Sequence, residues 1–345
     1  MIGSATSRLL LEEGHHVTVA NRHRWNWDTA QTIAPFVRQV FCDRNRVEET
    51  CKRLGVSGNY DAVIDFSTYR SDQMASILPI LSAKAPLYIY ISTDSVYEVC
   101  PPSTHGGPSR ETDALGPEGA EEIGNNDDYG REKLLAEYIL EKHFKEHADA
   151  RFISLRLPDV IGPRDRTRRW WKYQLWLAVH KTINMSLHVP PFLAEKKLSF
   201  VFSGDVAQVI VQFINGDHPT VRNEAFNLAW RQTVTLRKLL TQIGVCLNMT
   251  EPKFTEGRLH FYPSVSRGAI NVTKAVDKLK WKPTPMTRAV CDLCAFHDQA
   301  ASDFPDELAK VIEDLSLYFG VSDKDLAALW SMQARTSKRT HKEEL

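Results

Sequence analysis

The sequence predicts an α/β fold built on a doubly wound parallel sheet, with a smaller α+β lobe and a helical C-terminal extension. Two apolar runs carry this expectation, Asp-Ala-Val-Ile-Asp-Phe at residues 61–66 and Leu-Tyr-Ile-Tyr-Ile at residues 87–91. Each is short and rich in β-branched or aromatic side chains, as a strand buried on both faces must be. Between them Met74, Ile77, Leu78 and Leu81 recur at helical spacing. A strand, helix and strand joined this closely form a crossover unit, which requires a parallel sheet. The length of 345 residues is the third observation, since roughly 150 residues per domain leaves room for about two.

The other elements follow in order. Residues 4–13 read as a helix with Ala5, Leu9 and Leu10 on one side and Gly14 as its stop, followed by a strand over residues 16–20. Residues 101–128 contain Pro101-Pro102, Gly106-Gly107-Pro108 and a run of acids, the composition of a long polar loop. A helix over 129–146 and a strand over 152–157 restore the alternation. After Arg164 it loosens: a helix opens at Trp170-Trp171 and includes Trp176, 198–202 is a strand, and 205–214 and 234–243 are helices, with Asp205 as an N-cap. Two amphipathic helices are expected over 305–330, then a charged tail over 335–344. The expected boundaries are 1–160 for the sheet domain, 161–300 mainly for the smaller lobe with segments returning to the sheet, and 301–345 for the extension.

Composition narrows the function classes. The 43 basic residues balance 43 acidic ones, so no global field favours nucleic acid or an anionic membrane. Six cysteines scattered at 42, 51, 100, 246, 291 and 294 are not expected to form a disulfide framework, and a reducing compartment fits them. No run approaches a membrane span, and residues 1–20 lack signal-peptide order, so a cytoplasmic location is expected. The ending Lys342-Glu343-Glu344-Leu345 resembles an ER-retrieval signal and makes the ER lumen the alternative.

The strongest chemical signal is Tyr129-Gly130-Arg131-Glu132-Lys133 at a helix start. Positions i and i+4 share a helix face, so phenol and ammonium project together, and an adjacent cation favours the phenolate. Ser92-Thr93-Asp94-Ser95-Val96-Tyr97 directly follows the second apolar strand. Its hydroxyls therefore belong at the carboxyl end of a parallel sheet, where ligands of such folds bind.

With these motifs the chain resembles the short-chain dehydrogenase/reductase superfamily, in its extended NAD(P)-dependent epimerase/dehydratase-like branch, over roughly residues 2–285. Further landmarks lie in order at residues 156–164 (Arg-Leu-Pro-Asp-Val-Ile-Gly-Pro-Arg), 202–207, 225–228, and at Leu279, Trp281 and Pro283. The resemblance implies a Rossmann-like sheet with Tyr129 as general acid/base. Lys133 would hold the nicotinamide ribose and tune the tyrosine, and Thr93 would orient the substrate. It implies an NAD(P)-dependent oxidoreductase or epimerase acting on a secondary alcohol or ketone, of a nucleotide sugar or another anionic substrate. Two departures stand out. The family opens with a strand and a Gly-x-x-Gly-x-x-Gly turn, of which only Gly3 is matched, implying an N-terminally truncated, poorly stable form with its first strand missing. Where the dehydratases have a glutamate base after Ser-Thr-Asp, this chain has Ser95, which favours redox or epimerase chemistry over dehydration.

At the end of the first predicted strand stand Asn21-Arg22-His23-Arg24. A basic residue here accommodates the extra phosphate of NADP, so NADP is preferred and NAD is the alternative. By the same resemblance Asp43 would lie near the adenine, Ser67 near the cofactor ribose or phosphates, and Asp94 and Arg164 at the substrate. Arg164, Arg166, Arg168, Arg169 and Lys172, interleaved with Trp170 and Trp171, suit an anionic ligand or RNA. A non-catalytic RNA-binding or cofactor-sensing protein is therefore the alternative function. The expected partner is a small molecule, with RNA the alternative, no membrane, and a homodimer left open. Cys291-x-x-Cys294 with His297 supplies only half of a zinc site, so no metal is expected.

Overall fold

The computed structural model describes residues 1–56, 58–115, 127–147, 149–249, 252–328 and 330. The acidic part of the loop before Tyr129 and the charged tail lie outside them. In chain order the main elements are α1 (Ile2–Glu12), β1 (Thr18–Asn21), β2 (Arg38–Phe41), β3 (Val63–Asp65), α2 (Ser71–Ser82), β4 (Leu87–Thr93), α3 (Asp128–Glu146) and β5 (Arg151–Leu157). They continue with α4 (Arg169–Val179), α5 (Ser203–Ile214), β6 (Glu224–Asn227), α6 (Leu236–Cys246), α7 (Thr273–Leu279), α8 (Met286–Asp303) and α9 (Pro305–Phe319). Asp205 lies in the first turn of α5 and does not cap it, because the helix opens at Ser203 with Phe202 at the cap position.

The chain forms two compact units, residues 1–160, 199–231 and 265–283 in one and residues 161–198, 232–264 and 284–345 in the other. The first holds the parallel sheet. β3, β4, β5 and β6 pair in that order, all parallel, with Thr93 opposite Leu157 at the carboxyl end of the central pair. β1 and β2 pair separately, also in parallel. Every residue of β4 is buried, whereas Val63 and Ile64 of β3 and Thr18 and Val19 of β1 remain half-exposed. Among the described residues β1 pairs only with β2 and β3 only with β4, so each stands at the edge of its sheet.

Helices cover both sheet faces, as a doubly wound fold requires. On one face Ile89, Ile91, Ile153 and Leu155 pack with Val206, Ile210 and Phe213 of α5 and Ala275 and Leu279 of α7. On the other Tyr88, Tyr90 and Phe152 pack with Met74, Ile77 and Leu78 of α2 and Ala136, Leu140 and Phe144 of α3. In the second unit Trp170, Trp171 and Trp176 of α4 are fully buried.

The cysteines depart from expectation. Cys42 is bonded to Cys51 and Cys246 to Cys291, with Cα separations of 4.6 and 5.0 Å, inside the range a cystine spans. Spacing along the chain does not reveal this, because α6 and α8 bring Cys246 and Cys291 together across 45 residues. Cys291 is therefore taken up in a cystine rather than in half of a zinc site. His297 is buried and bonded to the Leu293 carbonyl.

Candidate active site

The site is built where β4 ends. After Thr93 the chain turns into a 3-10 turn, Asp94–Tyr97, and the Thr93 hydroxyl accepts from the Ser95 amide at 3.2 Å. Thr93, Asp94 and Ser95 are all buried. α3 starts beside this turn, with the Asp127 carboxylate accepting from the Gly130 amide at 2.9 Å. Gly130 explains the closeness of the two elements: a β-carbon there would collide with the Ser95 carbonyl and lie 2.7 Å from the Asp127 carboxylate. The approach sets Tyr129 beside Thr93 and Asp94.

Tyr129 is 44% exposed and its ring tilts against that of Tyr69, 6.3 Å away. Desolvation at the lip of the site, reinforced by Tyr69, pushes its phenol up to about 12, and a hydrogen bond with Thr93 opposes the rise. Lys133 lies one turn further and deeper, 2% exposed. Its Nζ donates to the carbonyls of Ile91 at 2.7 Å and Thr68 at 2.9 Å and lies 4.2 Å from the centre of the Tyr90 ring. Burial lowers its pKa to about 8 against the pull of Asp65 and Glu137. Two of the three ammonium N–H groups are taken by main-chain carbonyls, and Lys133 is not among the groups that shift the Tyr129 phenol most, where burial comes first.

Asp94 supplies a different kind of acid. Its Oδ1 accepts from the Thr93 hydroxyl at 3.4 Å, while Oδ2 is buried without a partner. Burial, then the nearby Asp159 and Glu98, hold its carboxyl well above the usual carboxylate range. An unpaired buried oxygen is costly, and a protonated carboxyl facing a ligand is one way to satisfy it.

The residues expected to hold a cofactor lie at the open ends of the strands. α1 begins beside the end of β3, a β-carbon on Gly3 lying 3.6 Å from the Phe66 ring, and no side chain caps its N-terminus. Ser67 is exposed, its amide donating to the Asp65 carboxylate at 3.0 Å. At the end of β1 the Asn21 carboxamide accepts from the His23 amide at 2.7 Å, leaving Arg22 and Arg24 exposed. Asp43 follows β2 and accepts from the Asn45 amide at 3.0 Å, in the loop closed by the Cys42–Cys51 bond.

Two buried networks below the site were not expected. Glu137 accepts from Arg156 at 2.6 Å and from Ser154 at 2.8 Å. Arg156 also donates to the Tyr97 hydroxyl and the Glu111 carbonyl, and Tyr97 donates to Asn227 at 2.7 Å. Burial raises the Glu137 carboxyl, but Arg156 outweighs it and keeps the group ionised. Asp65 accepts from Arg44, from the Tyr88 hydroxyl at 2.6 Å and from the Thr68 hydroxyl at 2.7 Å. Glu137 lies four residues after Lys133, the only sequence signal for either network.

Arg164 belongs to the second unit, with its guanidinium 5.4 Å from the centre of the Phe296 ring. The surrounding basic cluster is largely compensated there. Lys172 meets Asp314 at 2.9 Å, Arg168 lies within 3.8 Å of Glu307 and 3.6 Å of Asp314, and Arg169 covers the Tyr262 ring. Trp170 and Trp171 face the core, so they offer no stacking surface of the kind RNA binding uses.

A Rossmann-like sheet with Tyr-x-x-x-Lys on the helix beside a hydroxyl-bearing strand end defines an oxidoreductase-type enzyme of the short-chain dehydrogenase/reductase kind. The chain belongs to the NAD dependent epimerase/dehydratase family, whose model matches residues 1–229. No curated protein matches it in sequence. Among solved structures it is similar to UDP-glucose 4-epimerase from Bifidobacterium longum in complex with NAD+ and UDP, at 16% identity and a TM-score of 0.68 over 88% of this chain and 97% of that one. It is similar to the UDP-glucose 4-epimerase from Thermotoga maritima with UDP-glucose, at 17% identity and 0.67 over 87% and 96%. It is similar also to dTDP-glucose 4,6-dehydratase from Bacillus anthracis in complex with NAD, at 15% identity and 0.66 over 89% and 96%. At these identities the likeness establishes the fold.

Proposed function

We propose that this protein is an NADP-dependent oxidoreductase or epimerase acting on a secondary alcohol or ketone of a nucleotide sugar, with Tyr129 as general acid/base. One observation carries the reading: Thr93, Asp94 and Tyr129 converge at the carboxyl end of β4, with Lys133 anchored beneath them. Solved epimerases of the same fold hold NAD+ and UDP or UDP-glucose, which supports the substrate class.

The residues present fit a dinucleotide. The uncapped start of α1 at the carboxyl end of β3 offers amides and a positive dipole end to a diphosphate. Ser67 would hold the ribose end and Asp43 the adenine end, and Arg22 would supply the charge for a 2′-phosphate. When bound, the nicotinamide supplies hydride exchange.

The chain's own groups manage the oxygen and its proton. With a pKa pushed up to about 12, Tyr129 holds its proton at neutral pH and suits donation to a carbonyl oxygen becoming an alcohol. The Thr93 hydrogen bond stabilises the phenolate left behind and eases the reverse step. Neutral Asp94 donates a hydrogen bond to a second substrate oxygen. Ser95 offers no carboxylate for removing a carbon-bound proton, so elimination of water is disfavoured. The Lys133 bonds to Ile91 and Thr68 fix the floor of the site and keep one further N–H for a ribose hydroxyl. Single-turnover absorbance of the nicotinamide with UDP-glucose as the probe tests the reading, and Tyr129→Phe should abolish the signal.

A further inference from the structure

Residues 184–186, Asn-Met-Ser, form an acceptor sequence for N-linked glycans, and the fold presents it as such sites are presented. Asn184 closes the turn that follows α4, with φ at 55°, and both Asn184 and Ser186 are exposed. Asparagine is among the few residues that take the left-handed conformation readily, and the Ser186 hydroxyl required for glycan transfer stands two residues on. Asn248 and Asn271 head two further such sequences: Asn248 is exposed at φ 54° but its Thr250 lies outside the described residues, and Asn271 is half-buried, its carboxamide oxygen accepting from the Thr273 amide at 2.8 Å.

The cysteines supply an independent observation. Four of the six are paired, and the remaining two, Cys100 and Cys294, are buried. Cys291 is exposed and Cys246 half-buried, so their bond is open to any reducing thiol in the surroundings. A cystine so placed persists where the compartment is oxidising and is lost where glutathione is reduced. Oxidising lumens are also where asparagine-linked glycans are added.

We propose that Asn184 is an N-linked glycosylation site and that the chain matures in an oxidising lumen, where the Cys42–Cys51 and Cys246–Cys291 bonds form. In the transfer, the Asn184 amide nitrogen bonds to the anomeric carbon of an oligosaccharide carried on a lipid diphosphate. The bond from that carbon to the phosphate oxygen breaks, the lipid diphosphate leaves with the electron pair, and the amide proton passes to a base of the transferase. Each cystine forms as two thiols give up two protons and two electrons to a protein disulfide oxidant, which is reduced to its dithiol.

The test uses the full chain purified from its own cells, alkylated under denaturing conditions without reduction and digested with trypsin. The peptide from Thr182 to Lys196 should appear only after treatment with peptide-N-glycosidase, carrying heavy-oxygen aspartate at 184 when the treatment is run in heavy-oxygen water. Cys100 and Cys294 alone should be alkylated. A Ser186→Ala chain expressed in the same cells should lose the glycan and keep both cystines. Recovery of the unmodified peptide in full yield without glycosidase, or alkylation of all six cysteines, overturns the proposal.

Discussion

The ammonium of Lys133 donates to the main-chain carbonyl of Ile91 at 2.7 Å, two residues before Thr93. The bond ties the helix that carries Tyr129 to the strand that carries Thr93. It also fixes Lys133 in a buried site that lowers its pKa to about 8. In the unfolded chain a lysine titrates near 10.4, roughly. Between those values the unfolded state binds more protons than the folded one, so stability rises with pH through that window. The slope attributable to this group approaches about 1.4 kcal/mol per pH unit. Urea unfolding of wild type and Lys133→Met at roughly pH 7.5 and roughly pH 9.5 should show the rise in wild type and a smaller one in the variant.

Thr93→Val removes the hydrogen bond that holds the Tyr129 phenol down. Its pKa should climb further, and alcohol oxidation should slow by about 10- to 100-fold, with the acidic limb of its pH profile displaced upward. Thr93→Ser keeps the hydroxyl and should restore most of the rate. Initial rates across pH for the three proteins give the comparison.

Arg22 is exposed directly after β1, and in the proposed function its charge would meet the 2′-phosphate of NADP. Arg22→Ala should weaken NADPH binding by about 10- to 100-fold while leaving NADH binding within about threefold, as expected for loss of one charge-assisted contact. Fluorescence titration of both nucleotides measures the ratio.

Gly130 is where α3 comes against the Asp94–Tyr97 turn. Gly130→Ala forces the helix start away from the Ser95 carbonyl. It should cost about 1–3 kcal/mol of stability, as overpacking does, and lower turnover through displacement of Tyr129. Denaturant midpoints and turnover of the variant check the two effects together.

How much of this was legible follows from which contacts are local. The strands at 61–66 and 87–91 and the helix between them were readable because burial on both sheet faces imposes apolar runs, and Tyr129 with Lys133 because four residues make one helical turn. Thr93 and Asp94 at the end of β4 and Tyr129 at the start of α3 come together because both elements meet at Gly130. The bond from Arg156 to Glu137 spans 19 residues and that from Tyr97 to Asn227 spans 130, and neither spacing has a period to reveal it. The spacing from Tyr129 to Lys133 says nothing of where the ammonium ends, and two of its N–H groups end on main-chain carbonyls. The cystines were missed for a similar reason: Cys246 and Cys291 meet only once α6 and α8 have packed.

In the proposed function Tyr129 carries the proton of a hydride-transfer reaction. The direct measurement is single-turnover nicotinamide absorbance with NADP and UDP-glucose, wild type against Tyr129→Phe, with nucleotide affinity measured alongside. Wild type should give a signal that falls by at least about 100-fold in the variant, while NADPH affinity changes by less than about tenfold. Equal traces from the two proteins would contradict it.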